Sequence, residues 1–568
     1  PLFTFYGFRY AKVEGLARVD PADFTAVALS SDLEQTLRAS TGHAKLNRLM
    51  ENAWWGQRSN FLDVPTDCPQ RDERMGWTAD TQVFVNTACY QMDCKAFYRK
   101  FMRDMREDQL RYYGGDIPAY SPSVKGEAIH GGAVWADAGT IIPWNVYMAY
   151  GDQDLLRENY PMMRDYAEYL IRADAAAGGS HIVFPAFTFG DWVAQDGMTP
   201  QSVRGGTLEA YIQGIYYMHS VDLTARAAAE LGEAADARRY EALAEEIRAA
   251  LLAEYFTPGG NLCVDTQTAY VLALHYGVYR NEEKLLQGFR RRLQRDFYRI
   301  TCGFTGTPLI LSALMDHGME EEAFRMLLTE EFPGWLYAVN LGATTIWERW
   351  NSLNPDGSMS GTGMNSLNHY AYGSVCEAIY SRVMGLRCGA PGWKRAIVSP
   401  HISARLGHAE LRYASAAGVW ECGWRISPEG SVTLRLTVPE GAEADVTLPD
   451  HPEGLRQTVG AGEHTWTWRP LRDVLHPFSR HSLMGDLMED PRAAALMQKH
   501  MPARYAACLG RDSESRALRL EESGGSHPVD EKTLAVLERE LRQVRVDPCS
   551  ADDIGSFVRA AGKAKRPE

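Results

Sequence analysis

The feature that most constrains this chain is a helical period that persists from about Ser40 to Leu386. Apolar residues there recur near i, i+3, i+4 and i+7, the spacing of one helix face. The spacing predicts twelve helices, over 44–58, 80–92, 94–111, 135–150, 155–175, 207–230, 234–254, 266–277, 281–296, 305–315, 318–328 and 366–383. EALAEEIRAALLAEYF (241–256) is the clearest case. Several segments carry acidic residues early, where the helix dipole favours negative charge. A dozen helices joined by loops rich in Gly, Pro and Trp predict a mainly α fold, an (α/α)6 barrel of six inner and six outer helices. An irregular helical array has the same period, so periodicity alone leaves both open.

The flanks change period. FTFYGFRYAKVEG and FTAVALS, within residues 1–30, alternate aromatic and β-branched residues and read as extended. Thirty residues make no stable sheet alone, so 1–32 are expected to be the C-terminal strands of a truncated β-domain. From Trp393 to Arg469 the period is 2: SVTLRLTVP (431–439) alternates after the turn SPEG, with WECGWRI and EADVTLPD as neighbouring strands. A small antiparallel β-sandwich is expected there. The division is 1–32, 33–388 (barrel), 389–475 (sandwich) and 476–568, a partly helical tail. Within the tail ARYAACLG and EKTLAVLERELRQV flank a polar stretch, and GKAKRPE reads as disordered.

Bulk properties exclude some functions. The net charge is −14, which argues against nucleic acid as a partner. No run of eighteen apolar residues predicts a membrane span. Ten scattered cysteines, none in CxxC, predict reduced thiols, no metal site and a cytoplasmic setting. The chain starts at Pro1, so secretion through an upstream signal stays open. Homodimerisation is equally open. Aromatic residues make up 11%; their faces can stack on sugars, although a large aromatic core explains them equally well.

The chemistry concentrates in a few segments. DCPQRDERMGWTAD (67–80) holds Asp67, Arg71, Asp72, Glu73, Arg74, Trp77 and Asp80. Pro69 and Gly76 interrupt a helix there, so it reads as a loop entering a helix. Such a cluster is either a structural ion-pair knot or a loop presenting acids to a substrate. In the second reading a carboxyl kept protonated by its neighbours acts as general acid. TTIWERWNS (344–352) places Glu348 between Trp347 and Trp350, two indoles that could wall a sugar ring or sit in the core. MNSLNHYAYGSV (364–375) carries His369 and Tyr370, VWADAGTIIPW (134–144) carries Trp135 and Asp137, and FGDWV (189–193) carries Asp191 and Trp192. Each is weak alone, but barrel loops gather at one end and can converge.

NFLDVPTDCPQRDERMGWTAD, then TTIWERWNS, then MNSLNHYAYGSV resemble, in order, the bacterial α-L-rhamnosidases of glycoside hydrolase family 78. The resemblance spans roughly residues 1–470. It implies an inverting hydrolase of terminal rhamnose with Glu73 as general acid and Glu348 as general base. It implies rhamnose contacts from Asp67, Arg71, Trp77 and Asp80, and by motif context from Trp135, Trp192 and His369. It requires no cofactor. One departure is Ala79, where the family commonly has Gly. Residues alone support only a glycosidase with paired acids. Another (α/α)6 glycosidase, a polysaccharide lyase using His369 and Tyr370, and a non-catalytic carbohydrate-binding protein are the alternatives.

Overall fold

The computed structural model describes residues 5–8, 10–124, 129–182, 188–199, 202–361, 364–510, 513–523 and 529–546. Strand β1 (Leu37–Thr41) is followed by α1 (Ala44–Asn60), the short pair β2 (Phe61–Leu62) and β3 (Val64–Pro65), then α2 (Thr78–Gln91) and α3 (Lys95–Arg111). Next come α4 (Ala138–Tyr150), α5 (Gln153–Ala176), α6 (Glu209–Leu231), α7 (Ala234–Tyr255), α8 (Gln267–His275) and α9 (Glu282–Arg295). The helical region continues with α10 (Ile310–Asp316), α11 (Glu320–Leu327), α12 (Trp335–Asn340) and α13 (Val375–Ala378).

Short links fold these helices into antiparallel pairs. Only Gly151 and Asp152 separate α4 from α5, and only Gly232 and Glu233 separate α6 from α7. Both glycines take positive φ, 65° and 81°, the left-handed cap that stops a helix without a Cβ clash. Burial divides the helices into two kinds. In α8 every residue from Gln267 to Leu274 is buried. In α7 only the stripe Tyr240, Ala244, Ile247, Leu251 and Tyr255 is buried, so its other face meets water. The more enveloped helices follow one another: α2 packs on α4, α4 on α6, α6 on α8, α8 on α10, α10 on α13, and α13 on α2.

Two sheets follow. Strands β4 (Leu386–Cys388), β5 (Arg395–Val398), β6 (His408–Ser415), β7 (Gly418–Ile426), β8 (Val432–Val438), β9 (Glu443–Thr447), β10 (Arg456–Val459) and β11 (Gly462–Trp468) pair as β1-β6-β7-β8-β11 and β10-β9-β5-β4. In β8, Val432, Leu434, Leu436 and Val438 point inward as the alternation predicts. Two features depart from expectation. β5 and β9 run parallel, so the pairing is not wholly antiparallel. The edge strand β1 comes from before the helices, with Leu37 opposite Tyr413. Helices and sheets share one core: Tyr90, Trp393 and Tyr413 meet ring to ring at 4.9–5.5 Å.

Other expectations need correction. The strands expected in 1–32 are absent among the described residues, which are mostly exposed there and form only the short 3-10 turn Pro21–Asp23. Alternation makes a strand only where a neighbour offers backbone partners. The helix expected over 366–383 starts at Ala371, passes through α13 and ends in a π turn, Ile379–Val383. Residues 364–370 are instead tied to another loop, Glu348 N–H donating to Ser366 and His369 N–H to Ile346. Helix α12 has no counterpart among the expected twelve.

The tail is more ordered than its composition implied. Helices α14 (Met484–Glu489), α15 (Pro491–His500), α16 (Pro502–Ala507) and α17 (Glu531–Leu541) enclose a small core of Met484, Leu487, Met497, Leu520, Leu537 and Leu541. GKAKRPE lies outside the described residues. Asp486 fastens the tail, pairing with Arg325 of α11 and, at 3.1 Å, with Arg405. Burial would raise its pKa, but the two guanidiniums hold it below the usual range. Asp486→Ala should loosen this docking by about 1–3 kcal/mol, the worth of hydrogen bonds to charged groups. Limited proteolysis should then cut the tail faster while the melting of the helical region hardly moves; unchanged tail protection would show that the apolar contacts alone hold it.

Candidate active site

The loop from Asp63 to Trp77 is closed by its own backbone. Asp67 N–H donates to the Met75 carbonyl, and Met75 N–H donates back to Asp67 Oδ1, both at 3.0 Å. Gly76 packs so tightly that a Cβ there would stand 2.3 Å from the Ser121 carbonyl. Trp77 then leads into α2. Arg74 turns away, taking φ of 50° and donating to the Phe5 carbonyl at 2.7 Å. That leaves Arg71 as the cation inside.

Arg71 donates through Nη1 to Glu348 at 2.9 Å, and through Nη2 to Asp67 at 3.3 Å and to Glu73. Its Nε–H points at Cys68 Sγ, 3.3 Å away. Asp67, Cys68 and Glu73 present ligand atoms within 4.8 Å of one another. A metal could use that donor set, but the Arg71 guanidinium already binds all three groups. Arg349, beside Glu348, sends its Nε–H to the Met364 carbonyl, so it does not replace Arg71.

Acids outnumber this cation, and burial raises them. Burial lifts the Glu348 carboxyl to about 7, with the Glu73 and Asp67 charges adding and Arg71 opposing. Glu73 is raised by burial and then by Asp67, against Arg71. Asp67 is raised by burial, against its hydrogen bonds. Asp80, in the first turn of α2, is pushed well above the carboxylate range by burial and then by Asp67. The coupled group therefore retains protons where isolated carboxyls would have lost them. Asp80 Oδ1 lies 3.1 Å from His369 Nε2, without the alignment of a hydrogen bond. Burial lowers the His369 ring to about 3, so it is neutral there.

An aromatic wall stands beside these groups. Phe189 stacks on Trp135 with centroids 4.3 Å apart and touches Trp77 and Trp192 edge-on at 5.9 and 5.6 Å. Tyr120 meets Trp77 at 5.5 Å. Three indoles expected from separate loops are thus joined by a Phe that sequence reasoning passed over, although FGDWV contains it. Cys68 was also passed over, although it sits inside the acid motif. Tyr120 had no local signal. The loops are strained to reach this arrangement: Val134 and Val193 take φ of 76° and 55°, rare for β-branched residues and costing roughly 1–3 kcal/mol each.

Four expected contacts have other employment. Asp137 accepts from Val134 N–H at 2.7 Å, Ser220 Oγ at 2.5 Å and Tyr166 Oη at 3.3 Å. Asp191 accepts from Thr268 Oγ1 at 2.5 Å and from the Gly303 and Thr305 N–H groups at 2.9 Å. Both carboxylates staple loops. Trp347 and Trp350 are only 6% and 5% exposed. Trp350 stacks on Tyr372 at 4.3 Å, and Trp347 packs with Tyr337 and Ala343, so both indoles are part of the packing around the Glu348 loop. Tyr370 is buried, its hydroxyl donating to the Pro65 carbonyl at 3.1 Å, which removes the tyrosine a lyase would need.

Residues 34–383 match the bacterial alpha-L-rhamnosidase 6 hairpin glycosidase domain, and 385–463 the bacterial alpha-L-rhamnosidase C-terminal domain. The chain belongs to the bacterial alpha-L-rhamnosidase family. An alpha-L-rhamnosidase of Alteromonas sp. is 35% identical over 487 residues, 84% of this chain and 52% of the relative. One of Streptomyces avermitilis is 35% identical over 486 residues, 82% of this chain and 45% of the relative. The chain thus spans about half the length of these curated relatives. The S. avermitilis alpha-L-rhamnosidase crystal structure, complexed with L-rhamnose, superposes with a TM-score of 0.71 at 35% identity, covering 78% of this chain and 43% of that one. The Aspergillus terreus enzyme superposes at 0.74 with 29% identity, covering 80% and 53%.

In this rhamnosidase-family chain, Asp191→Ala should behave as a structural lesion. It leaves the Gly303 and Thr305 N–H groups buried without an acceptor and should cost about 2–4 kcal/mol in denaturant unfolding. Wild-type stability in that variant would return Asp191 to the set of free ligand groups.

Proposed function

We propose that the protein is an α-L-rhamnosidase that removes terminal, non-reducing α-L-rhamnose from glycosides or oligosaccharides with inversion at the anomeric carbon. The observation that carries this reading is the shared guanidinium: Arg71 holds Glu73 on one terminal nitrogen and Glu348 on the other. An inverting glycosidase needs two carboxyls on opposite sides of one bond, roughly 6.5–9.5 Å apart so that a water fits. Two carboxyls on separate nitrogens of one guanidinium belong to one cluster, which supports reading them as a catalytic pair.

Exposure separates their roles. The Glu73 side chain is 32% exposed and that of Glu348 is 3% exposed. A terminal sugar enters ring first, so its aglycone trails toward solvent. The acid that reaches the leaving oxygen is then the outer one, Glu73. It gives its proton to the glycosidic oxygen as the C–O bond breaks. Glu348 takes a proton from the water that attacks C1 from the opposite face, and the hydroxide part of that water stays on the sugar. The products are β-L-rhamnose and the free alcohol, and solvent returns the proton from Glu348 to Glu73. Asp67, Asp80 and neutral His369 bind ring hydroxyls, while Trp77 and Trp192 cover the apolar face and the C6 methyl, with Trp135 buried behind Phe189 as their support. The same reading takes α2, α4, α6, α8, α10 and α13 as the inner wall of an (α/α)6 barrel.

Glu73→Gln should cut turnover of an unactivated rhamnoside roughly a hundred- to ten-thousand-fold. An aryl rhamnoside with a good leaving group should suffer less, because it needs little protonation. Glu348→Gln should impair both substrates alike. Proton NMR of the first-formed sugar should show the β anomer; the α anomer appearing first would overturn inversion.

The pH dependence carries a sign. A general base works ionised, so kcat/KM should rise as pH increases through about 7, the value burial imposes on Glu348. Arg71 opposes that rise, so Arg71→Met should move the acidic limb to higher pH. A limb that stays in place or moves to lower pH would separate Arg71 from the base.

A further inference from the structure

A groove lies between α1 and residues 30–35, and none of the acid-cluster residues lines it. It is formed because residues 30–35 cross as a strap tied at two ends. At one end Ser31 N–H donates to the Phe61 carbonyl at 3.2 Å and Ser31 Oγ accepts from Asp63 N–H at 3.1 Å. At the other, Gln35 pairs with Met92, and Asp93 N–H donates to the Glu34 carbonyl at 2.9 Å. Between the ties Asp32 takes a left-handed φ of 52°. Leu33 turns toward the core, and Asp32 and Glu34 face outward. The space enclosed with Trp54, Arg58, Phe61 and Met92 is about 570 Å³, within the usual range for small-ligand sites.

The lining has one aromatic platform and unused polar groups of both kinds. Arg58 lies over Trp54 and Trp55, 5.3 and 5.5 Å from the ring centroids, and Trp55 meets Trp54 edge-on at 4.8 Å. Trp55 is 42% exposed. Among the described residues, Arg58 pairs with no carboxylate, and the carboxylates of Asp32 and Glu34 accept from no donor. A structural ion-pair network would have joined these charges across the groove. They instead surround an indole as separate donors and acceptors.

We propose that this groove binds a neutral oligosaccharide chain, a second carbohydrate site apart from the catalytic pair. The proposal rests on the glycosidase reading above for its choice of sugar over other polar ligands. A sugar offers C–H groups that pack on an indole and hydroxyls that both donate and accept, which matches the exposed part of Trp54 beside Arg58, Asp32, Glu34 and Ser30. The charge selects against acidic ligands: two carboxylates face one guanidinium, on a chain with net charge −14. Uronate polymers and phosphates are therefore repelled, and neutral glycans are not. Such a site would hold a longer substrate on the enzyme while its end is cleaved, raising effective concentration with no change in chemistry.

The test uses the full chain in affinity gel electrophoresis, with rhamnan, xylan, dextran or polygalacturonate cast in the gel. Binding is read in the Glu73→Gln background, which prevents digestion. Hydrolysis of a small aryl rhamnoside is read in the otherwise wild-type chain. At least one neutral glycan should retard migration. Arg58→Ala and Trp54→Ala should each weaken that retardation roughly tenfold, leaving kcat/KM on the aryl rhamnoside unchanged. Trp54 packs partly on the core, so a melting curve checks its variant; Arg58 is exposed and carries the test if Trp54→Ala unfolds. No retardation by any neutral glycan, retardation that survives Arg58→Ala, or retardation by polygalacturonate alone would overturn the site. A chain that cleaves the aryl rhamnoside but is not retarded removes this site alone. One that is retarded through Arg58 but cleaves no rhamnoside removes the proposed function alone.

Discussion

Arg71 donates to carboxylates from two distant parts of the chain, Asp67 and Glu73 in its own loop and Glu348 from the loop after α12. Without that cation the three acids would repel one another in a setting that water screens poorly. With it they stand close together, and the remaining excess of negative charge is absorbed by protons. Burial, like charges and one guanidinium set the balance, and the outcome is a raised pKa on each acid. The proposed acid and base roles of Glu73 and Glu348 depend on such a balance.

The surroundings are arranged to hold this cluster still. The buried acids Asp137 and Asp191 staple the loops that carry Trp135 and Trp192. The indoles Trp347 and Trp350 are part of the packing around the Glu348 loop. Val134 and Val193 accept unfavourable backbone angles so that the same loops can reach inward. Strain of this kind persists only where the neighbouring structure over-determines it, and here the hydrogen bonds of Asp137 and the Tyr372 hydroxyl on the Val193 carbonyl do so.

β1 and the tail bind the parts of the chain to one another. β1 leaves the sequence before α1 and closes the edge of the sheet built by residues 408–468. The tail grips α11 through Asp486, a carboxylate that two guanidiniums keep ionised. The strap at 30–35 lies between β1 and the exposed N-terminal stretch, and its two ties create the groove beside Trp54.

The sequence by itself determined the helical span, the switch to period 2 near Trp393, and the two motifs that contribute Glu73 and Glu348. Those features are local: a 3.6-residue period, an alternation, or a cluster of charges in fourteen residues can be read without knowing what touches what. It could not separate Asp67 from Asp137, because a carboxylate that shares the Arg71 guanidinium and one that only staples loops are the same side chain until their donors are known. For the same reason Trp347 and Trp350 looked like a sugar wall. Phe189 became visible only when three loops met around it, and the described part of the alternating stretch near the start formed no strand because pairing depends on a neighbour. Only the tertiary structure decided which acids share Arg71, since 277 residues separate it from Glu348, and folding alone brings groups so far apart in the chain within a hydrogen bond of each other.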